Sequence, residues 1–313
     1  MNTTFRTYFC ISDEVAHALS GKQPIVALES TVISHGLPYP VNRALGENME
    51  LTVRKTGAIP ATIAVLDGLI HIGVSSIDLE RLAQASSMHK ISSRDIGVAI
   101  ANKWSGGTTV AATLFAANAV DIRVFATGGI GGVHRLIGQE IHCRTIDISA
   151  DLPQLSRTPM IVVCAGAKAI LDLPATLEYL ETWSIPVVGY QTDKFPAFYT
   201  LESGLNLTVR ANSARDVVDI AYSHWKIGMN SAVLVANPPP EHTSLPADLV
   251  EEAIKKSLNQ AQEQGISGQA VTPFLLQRVN ELTGGDSLQA NIELLVNNAY
   301  LAGEIAVEFC ARQ

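Results

Sequence analysis

The chain has 313 residues, 47% hydrophobic and 17% charged, enough to bury the core of one large α/β domain or two modest ones. With 22 Lys and Arg against 30 Asp and Glu, a formal net charge of -8, it offers no broad basic face for a nucleic-acid backbone, although a local basic pocket for one phosphate stays allowed. The start lacks an uninterrupted apolar stretch and meets Asp13 and Glu14 early, so no secretory signal is expected, and the longest apolar run, Thr108 to Val120, is too short to span a bilayer.

Short apolar runs rich in β-branched residues alternate with amphipathic stretches, the pattern of a mostly parallel sheet covered by helices. Strands are predicted at Ile25 to Leu28, Thr62 to Leu66, Leu69 to Ile72, Arg123 to Thr127, Ile161 to Ala167, Val187 to Tyr190, Leu205 to Arg210 and Ala232 to Ala236. Helices are predicted at Val41 to Lys55, Ser76 to Ala85, Thr109 to Ala119, Ala214 to Ile227, Pro246 to Gln264, Pro273 to Leu282 and Ser287 to Cys310. Asp67-Gly68 signals a tight hairpin, which makes the sheet mixed. No repeat or low-complexity stretch divides the chain. The expected organisation is an N-terminal segment, residues 1–24, packed on a single domain, residues 25–313, with Ala236 to Pro246 as an ordered loop.

In open α/β sheets ligands sit beyond the carboxyl ends of the strands, so the residues that follow each strand are the candidates. Glu29, at the end of a buried IVAL strand, is either a general acid or base whose pKa burial has raised, or an acceptor for the turn that follows. Ser105 to Thr109 either holds a phosphate at the start of the next helix or caps that helix. TGGIGGVHR, Thr127 to Arg135, has glycines that let backbone N–H groups approach an anion, with His134 and Arg135 adding positive character; flexible turns use the same residues, and the spacing is not the dinucleotide fingerprint. Asp147, Ser149 and Asp151 offer oxygens to a largely hydrated Mg²⁺ or Mn²⁺, or cap the helix before Leu152.

IVVCAGAK ends on Lys168. Beside apolar walls an amine loses proton affinity, and its neutral form attacks a carbonyl-level carbon to make an imine; the competing reading is a strand-end lysine reaching water. The histidines lack the spacing of a zinc cage, and no G-x-S-x-G elbow or cysteine–histidine signature supports an acyl hydrolase. Cys10, Cys143, Cys164 and Cys310 have no paired spacing, as expected of reduced thiols in a cytoplasmic protein.

Taken in order, ALESTVISHGLPYP (Ala27 to Pro40), GAIPATIAVLDG (Gly57 to Gly68), KISSRD (Lys90 to Asp95), FATGGIGGVHR (Phe125 to Arg135), DISADL (Asp147 to Leu152), VVCAGAK (Val162 to Lys168), VVGYQT (Val187 to Thr192), VANPPPE (Val235 to Glu241) and TPFLLQRVNELTGGDSLQANI (Thr272 to Ile292) closely resemble the pseudouridine-5'-phosphate glycosidase family, which includes indigoidine-synthase-A-like proteins. The resemblance runs from about Ile25 to near the end of the chain. It implies a three-layer α/β/α homotrimer that reversibly cleaves the C–C glycosidic bond of pseudouridine 5'-phosphate to uracil and ribose 5-phosphate, with Mn²⁺ or another divalent cation such as Mg²⁺. Motif by motif it implies that Lys168 is the nucleophile, Glu29 the proton donor and Asp147 the metal ligand. Lys90, Val110, Ser149, Ala150 and Asp151 fall at its substrate-contacting positions, and Thr127, His134 and Asn291 at pocket-lining ones.

Relative to the family's bacterial pattern, a few extra residues between Arg135 and Asp147 border this site. Two rival readings remain: a related C-glycoside-forming enzyme acting on another acceptor in a secondary-metabolite pathway, and a non-catalytic sugar-phosphate-binding protein. The presence of both Lys168 and Glu29 speaks against the second.

Overall fold

The computed structural model describes residues 7–84, 87–135, 147–266 and 270–312; residues 136–146, where a few extra residues were expected, lie outside this set with His142 and Cys143, as does Ala85. In chain order the strands are β1 (Phe9–Ile11), β2 (Ile25–Leu28), β3 (Ile59–Leu66), β4 (Leu69–Ile72), β5 (His89–Ile91), β6 (Gly106–Thr108), β7 (Val124–Ala126), β8 (Val133–His134), β9 (Ile161–Cys164), β10 (Leu171–Asp172), β11 (Val187–Tyr190), β12 (Val209–Ala211) and β13 (Val233–Ala236). The helices are α1 (Asp13–Ser20), α2 (Val41–Lys55), α3 (Ser76–Gln84), α4 (Ile96–Ala101), α5 (Val110–Ala119), α6 (Asp151–Leu155), α7 (Leu173–Thr182), α8 (Ala214–Lys226), α9 (Ala247–Glu263), α10 (Val271–Leu282) and α11 (Asp286–Ala311).

The principal sheet runs β1-β4-β3-β2-β7-β9-β13-β11-β12, with β6 and then β5 branching from β3. From β3 through β12 along this path every pairing is parallel, so the carboxyl ends of β2, β7, β9 and β13 lie along one edge. Every residue of β2, β7, β9 and β13 is buried, as strands covered on both faces require. The long helix α11 packs on α2 and α8 and crosses β2, β7 and β9, while α5, seated on α6, covers β2 and β3 from the other side. This is the expected three-layer α/β/α arrangement. No helix among the described residues is long and apolar enough to cross a membrane.

Asp67 and Gly68, with φ of 52° and 80°, form the predicted two-residue turn between the antiparallel strands β3 and β4. Part of the N-terminal segment is woven into the same sheet: β1 pairs with β4, and α1, capped by Ser12, buries Val15 and Ala18 in the core. The strand expected to reach Ala167 stops at Cys164. Gly166 turns to φ +81°, where an added Cβ would meet the Pro196 carbonyl at 2.5 Å. The strand expected at Leu205 to Arg210 forms instead at Val209–Ala211, because the Leu205 carbonyl and the Leu207 N–H are taken by Phe195 and Asp193.

One feature of the sheet prepares the site. The first half of β3 pairs with β2 and the second half with β6, so the sheet forks where β2 ends. Ser30 closes the fork: its hydroxyl donates to the Ile63 carbonyl (2.6 Å) and accepts from the Thr108 N–H (3.0 Å). Glu29 is thereby fixed at the opening.

Candidate active site

Glu29 follows β2 and is 7% exposed. The register that sets Leu28 beside Ala126 brings Thr127 alongside it, and the Thr127 hydroxyl donates to Glu29 Oε1. Burial pushes the Glu29 carboxyl above the usual carboxylate range; the Lys168 charge and the Thr127 hydrogen bond pull the other way without reversing it. Thr127 is itself held from behind. Asn298 of α11, fully buried, donates to the Thr127 carbonyl (2.9 Å) and accepts from Asn237 at the end of β13 (2.9 Å). Thr127, a pocket-lining position by the family resemblance, spends its hydroxyl on Glu29 and so positions the carboxyl.

Lys168 comes four residues after β9 ends, two past the turn at Gly166. The Ala165 N–H donates to the Gly128 carbonyl (2.8 Å), the Ile130 N–H to the Gly166 carbonyl (3.0 Å) and the Lys168 N–H to the Ile130 carbonyl (3.1 Å). This two-strand seam carries Lys168 past the sheet edge to the same opening as Glu29. The glycines of the TGGIGG segment serve close packing here. A Cβ on Gly128 would press on Leu295, one on Gly129 on the Phe198 ring, one on Gly131 on Ser149 and Asp151, and one on Gly132 on Thr176.

Two adjoining cavities meet at Glu29, Thr31, Lys90, Lys168 and Thr272. The larger, about 310 Å³, is polar and is walled by Ser92, Arg94, Val110, His134, Asp147, Ser149 and Ala150. The smaller, about 60 Å³, is walled by Gly128, Gly129, Phe198, Leu276, Asn291 and Leu295. Lys90 on β5 is mostly buried. Burial and the neighbouring Lys168 charge pull its pKa down, while Asp151, Glu29 and Asp147 oppose them. Lys90 and Lys168 thus bring two amines to a cavity that Glu29, Asp147 and Asp151 also line. Thr31 lines both cavities, and its buried hydroxyl has no hydrogen-bond partner, a group that a ligand would satisfy.

His134 stands 3.9 Å from the Asp147 carboxylate; burial lowers its pKa and that carboxylate opposes the fall. Arg135, expected to add charge to the glycine segment, faces away: it pairs with Glu251 (2.8 Å) and donates to the Leu171 and Ala169 carbonyls. Thr109 takes the capping role, accepting from the Ala112 N–H. Among the described residues Cys10, Cys164 and Cys310 are free, and burial pushes the Cys164 thiol up to about 12, an inert core group.

The sequence model of the indigoidine synthase A like protein family matches residues 14–308. The chain belongs to that family. It is 50% identical over 301 residues to the pseudouridine-5'-phosphate glycosidase of Geobacillus kaustophilus, covering 96% of this chain and 98% of that one. It is 48% identical over 300 residues to the protein of that name from Escherichia coli, covering 96% and 95%. Among solved structures it is similar to the prealnumycin C-glycosynthase AlnA in complex with ribulose 5-phosphate, with a TM-score of 0.88 and 39% identity over 97% of this chain and 98% of the other.

Within this family frame, Asp151 has a role that spacing alone could not supply. Its two carboxylate oxygens accept from the Ala111 N–H at the start of α5 (2.9 Å) and from the Gly131 N–H (2.8 Å), and the residue is 5% exposed. It borders the polar cavity chiefly as a clamp between the glycine segment and α5. Asp151→Ala strands two buried amides and is expected to cost about 2–4 kcal/mol, read as a lower urea midpoint at unchanged slope. Thr31, Ser92, Arg94, Phe198, Thr272 and the supporting Asn298 went unassigned. Thr31, Ser92, Arg94 and Thr272 lie inside the family motifs, and Asn297-Asn298 interrupts an apolar helix, which is a readable signal. Phe198 carries none.

Proposed function

We propose that this chain is a C-glycosidase that reversibly converts pseudouridine 5'-phosphate to uracil and ribose 5-phosphate through an imine at Lys168. The observation that carries the reading is the meeting of a lysine amine, a carboxyl whose pKa burial raises and a second lysine at the junction of a polar and an apolar cavity. The close relatives bearing the glycosidase name support the substrate.

The unprotonated Lys168 nitrogen bonds to C1′ as the C1′–O4′ bond breaks, and O4′ takes the Glu29 proton. The nitrogen, now an ammonium, returns a proton to Glu29, which passes it to uracil C5. The nitrogen lone pair then forms C1′=N⁺ as the C1′–C5 bond breaks and uracil leaves. Water adds to the iminium and releases ribose 5-phosphate. Lys90 neutralises the phosphate in the polar cavity, helped by Ser149 and His134, while Asn291 faces the base in the apolar one. Incubating the protein with pseudouridine 5'-phosphate and following uracil release tests this; no release overturns it.

The proposal extends to Mn²⁺ or a similar cation, a homotrimer and a cytoplasmic setting, all implied by the family. Among the described residues no three His, Cys, Asp or Glu side chains form a metal cage. Asp147, exposed at the cavity mouth, suits a mostly hydrated ion held by one protein oxygen; Asp151 is already engaged by amides. A cation there would add positive charge beside the sugar phosphate. Chelator is expected to lower activity at least about tenfold, with Mn²⁺ restoring it, and Asp147→Asn is expected to raise the Mn²⁺ concentration needed by a similar factor. Chelator-insensitive turnover would remove the metal from the reading.

A further inference from the structure

Phe198 has two properties that a packing role alone does not call for. Its backbone sits at φ +66°, a region that bulky residues rarely occupy, and its amide is pinned there by donation to the Ala165 carbonyl (3.2 Å). Its ring, 3% exposed, is held edge-on by Tyr199 (centroids 4.8 Å apart) and lies so close to Gly129 that a Cβ there would come within 2.6 Å of two ring carbons. The ring is therefore fixed by backbone, neighbour and glycine together. It forms part of the wall of the apolar cavity beside Lys168, facing a space of only about 60 Å³. Val32, Pro273, Leu276 and Leu295 complete the apolar part of this wall. Past Leu276, Pro273 and Asn291 lies a further cavity of about 560 Å³, which Lys168 does not line.

Resting on the proposed C-glycosidase reading, we infer that Phe198 is the specificity-determining wall that limits the aromatic partner of the C–C bond to a single six-membered ring. Its aromatic face supplies a stacking surface for that ring, and its immobility sets the size limit.

The test measures, by calorimetry in the presence of ribose 5-phosphate, the affinity for uracil and for quinazoline-2,4-dione, which keeps the imide edge and adds a fused benzo ring. The parent is expected to bind uracil at least about tenfold more tightly than the fused compound. Phe198→Gly, which suits the left-handed backbone and removes the ring, is expected to narrow that ratio at least about tenfold, and Phe198→Leu, which refills the space without a rigid aromatic face, to recover only part of it. Phe198→Asn, also tolerant of this backbone, repeats the measurement if the glycine variant does not fold, with the same shift expected. A ratio unmoved in the small variants, or a parent that binds both compounds equally, overturns the inference. A parent that binds no uracil at all overturns the C-glycosidase reading instead.

Discussion

Replacing Lys168 by alanine is expected to lower turnover of pseudouridine 5'-phosphate by roughly four orders of magnitude and to abolish borohydride-dependent labelling of the protein by ribose 5-phosphate. The size follows from the chemistry. A base leaving through carbon cannot depart as a stabilised nitrogen anion, so C5 must gain a proton while C1′, which gives up the bond's electrons, is fed by a lone pair, and the amine supplies that pair. The variant should fold, since Lys168 is only partly buried and its backbone amide, which donates to the Ile130 carbonyl, is untouched. Lys90 is the built-in control. It shares the cavity, but it lies on β5, in the branch beyond the fork, and its proposed partner is the phosphate. Lys90→Ala should raise KM for the phosphorylated substrate and leave the label on Lys168. A Lys168→Ala protein that turns over near the parental rate, or that labels elsewhere, ends the imine reading.

Much of the frame was legible because it obeys local rules. The IVAL run of β2, the Asp67-Gly68 turn and the amphipathic α2 each announce themselves through periodicity and turn chemistry, and residues at strand ends follow from topology. What escaped is set by long-range geometry. Gly106-Gly107 carries no strand propensity, yet with Thr108 it forms β6 because β3 outruns β2 and offers unpaired backbone. Only glycine fits there: a Cβ on Gly107 would meet Ser34 Oγ at 2.2 Å and the Ser30 carbonyl at 2.7 Å. The same holds for the glycine segment after β7, which reads either as an anion site or as a flexible turn and whose glycines pack closely against Leu295, Phe198, Ser149 and Thr176. It holds also for Asp151, whose carboxylate reaches residues twenty and forty positions away. Spacing can nominate an oxygen, but it cannot say whether a backbone amide has already claimed it.

Glu29→Gln is expected to reduce kcat by about 10²–10⁴-fold while the lysine still labels with ribose 5-phosphate, since the amide keeps an acceptor for the Thr127 hydroxyl and loses only the proton. The pH dependence gives a sharper check than the rate. Burial raises the Glu29 pKa, so the carboxyl stays protonated, and able to donate, to a higher pH than an exposed glutamate would. Parental cleavage should therefore fall as pH rises through that raised value, and the glutamine variant should lack this limb. Stability should move in step. A group whose folded pKa lies above its unfolded one contributes stability that is complete below the unfolded value and lost as pH climbs through the folded one. The parent should thus lose stability across that window, and Glu29→Gln should not, so that at higher pH the crippled enzyme is the more stable of the two. That inverse pairing is what a carboxyl kept neutral for catalysis predicts. A glutamate that merely accepted hydrogen bonds in its turn would have its charged form stabilised, and its replacement would cost stability at high pH while leaving the rate nearly intact.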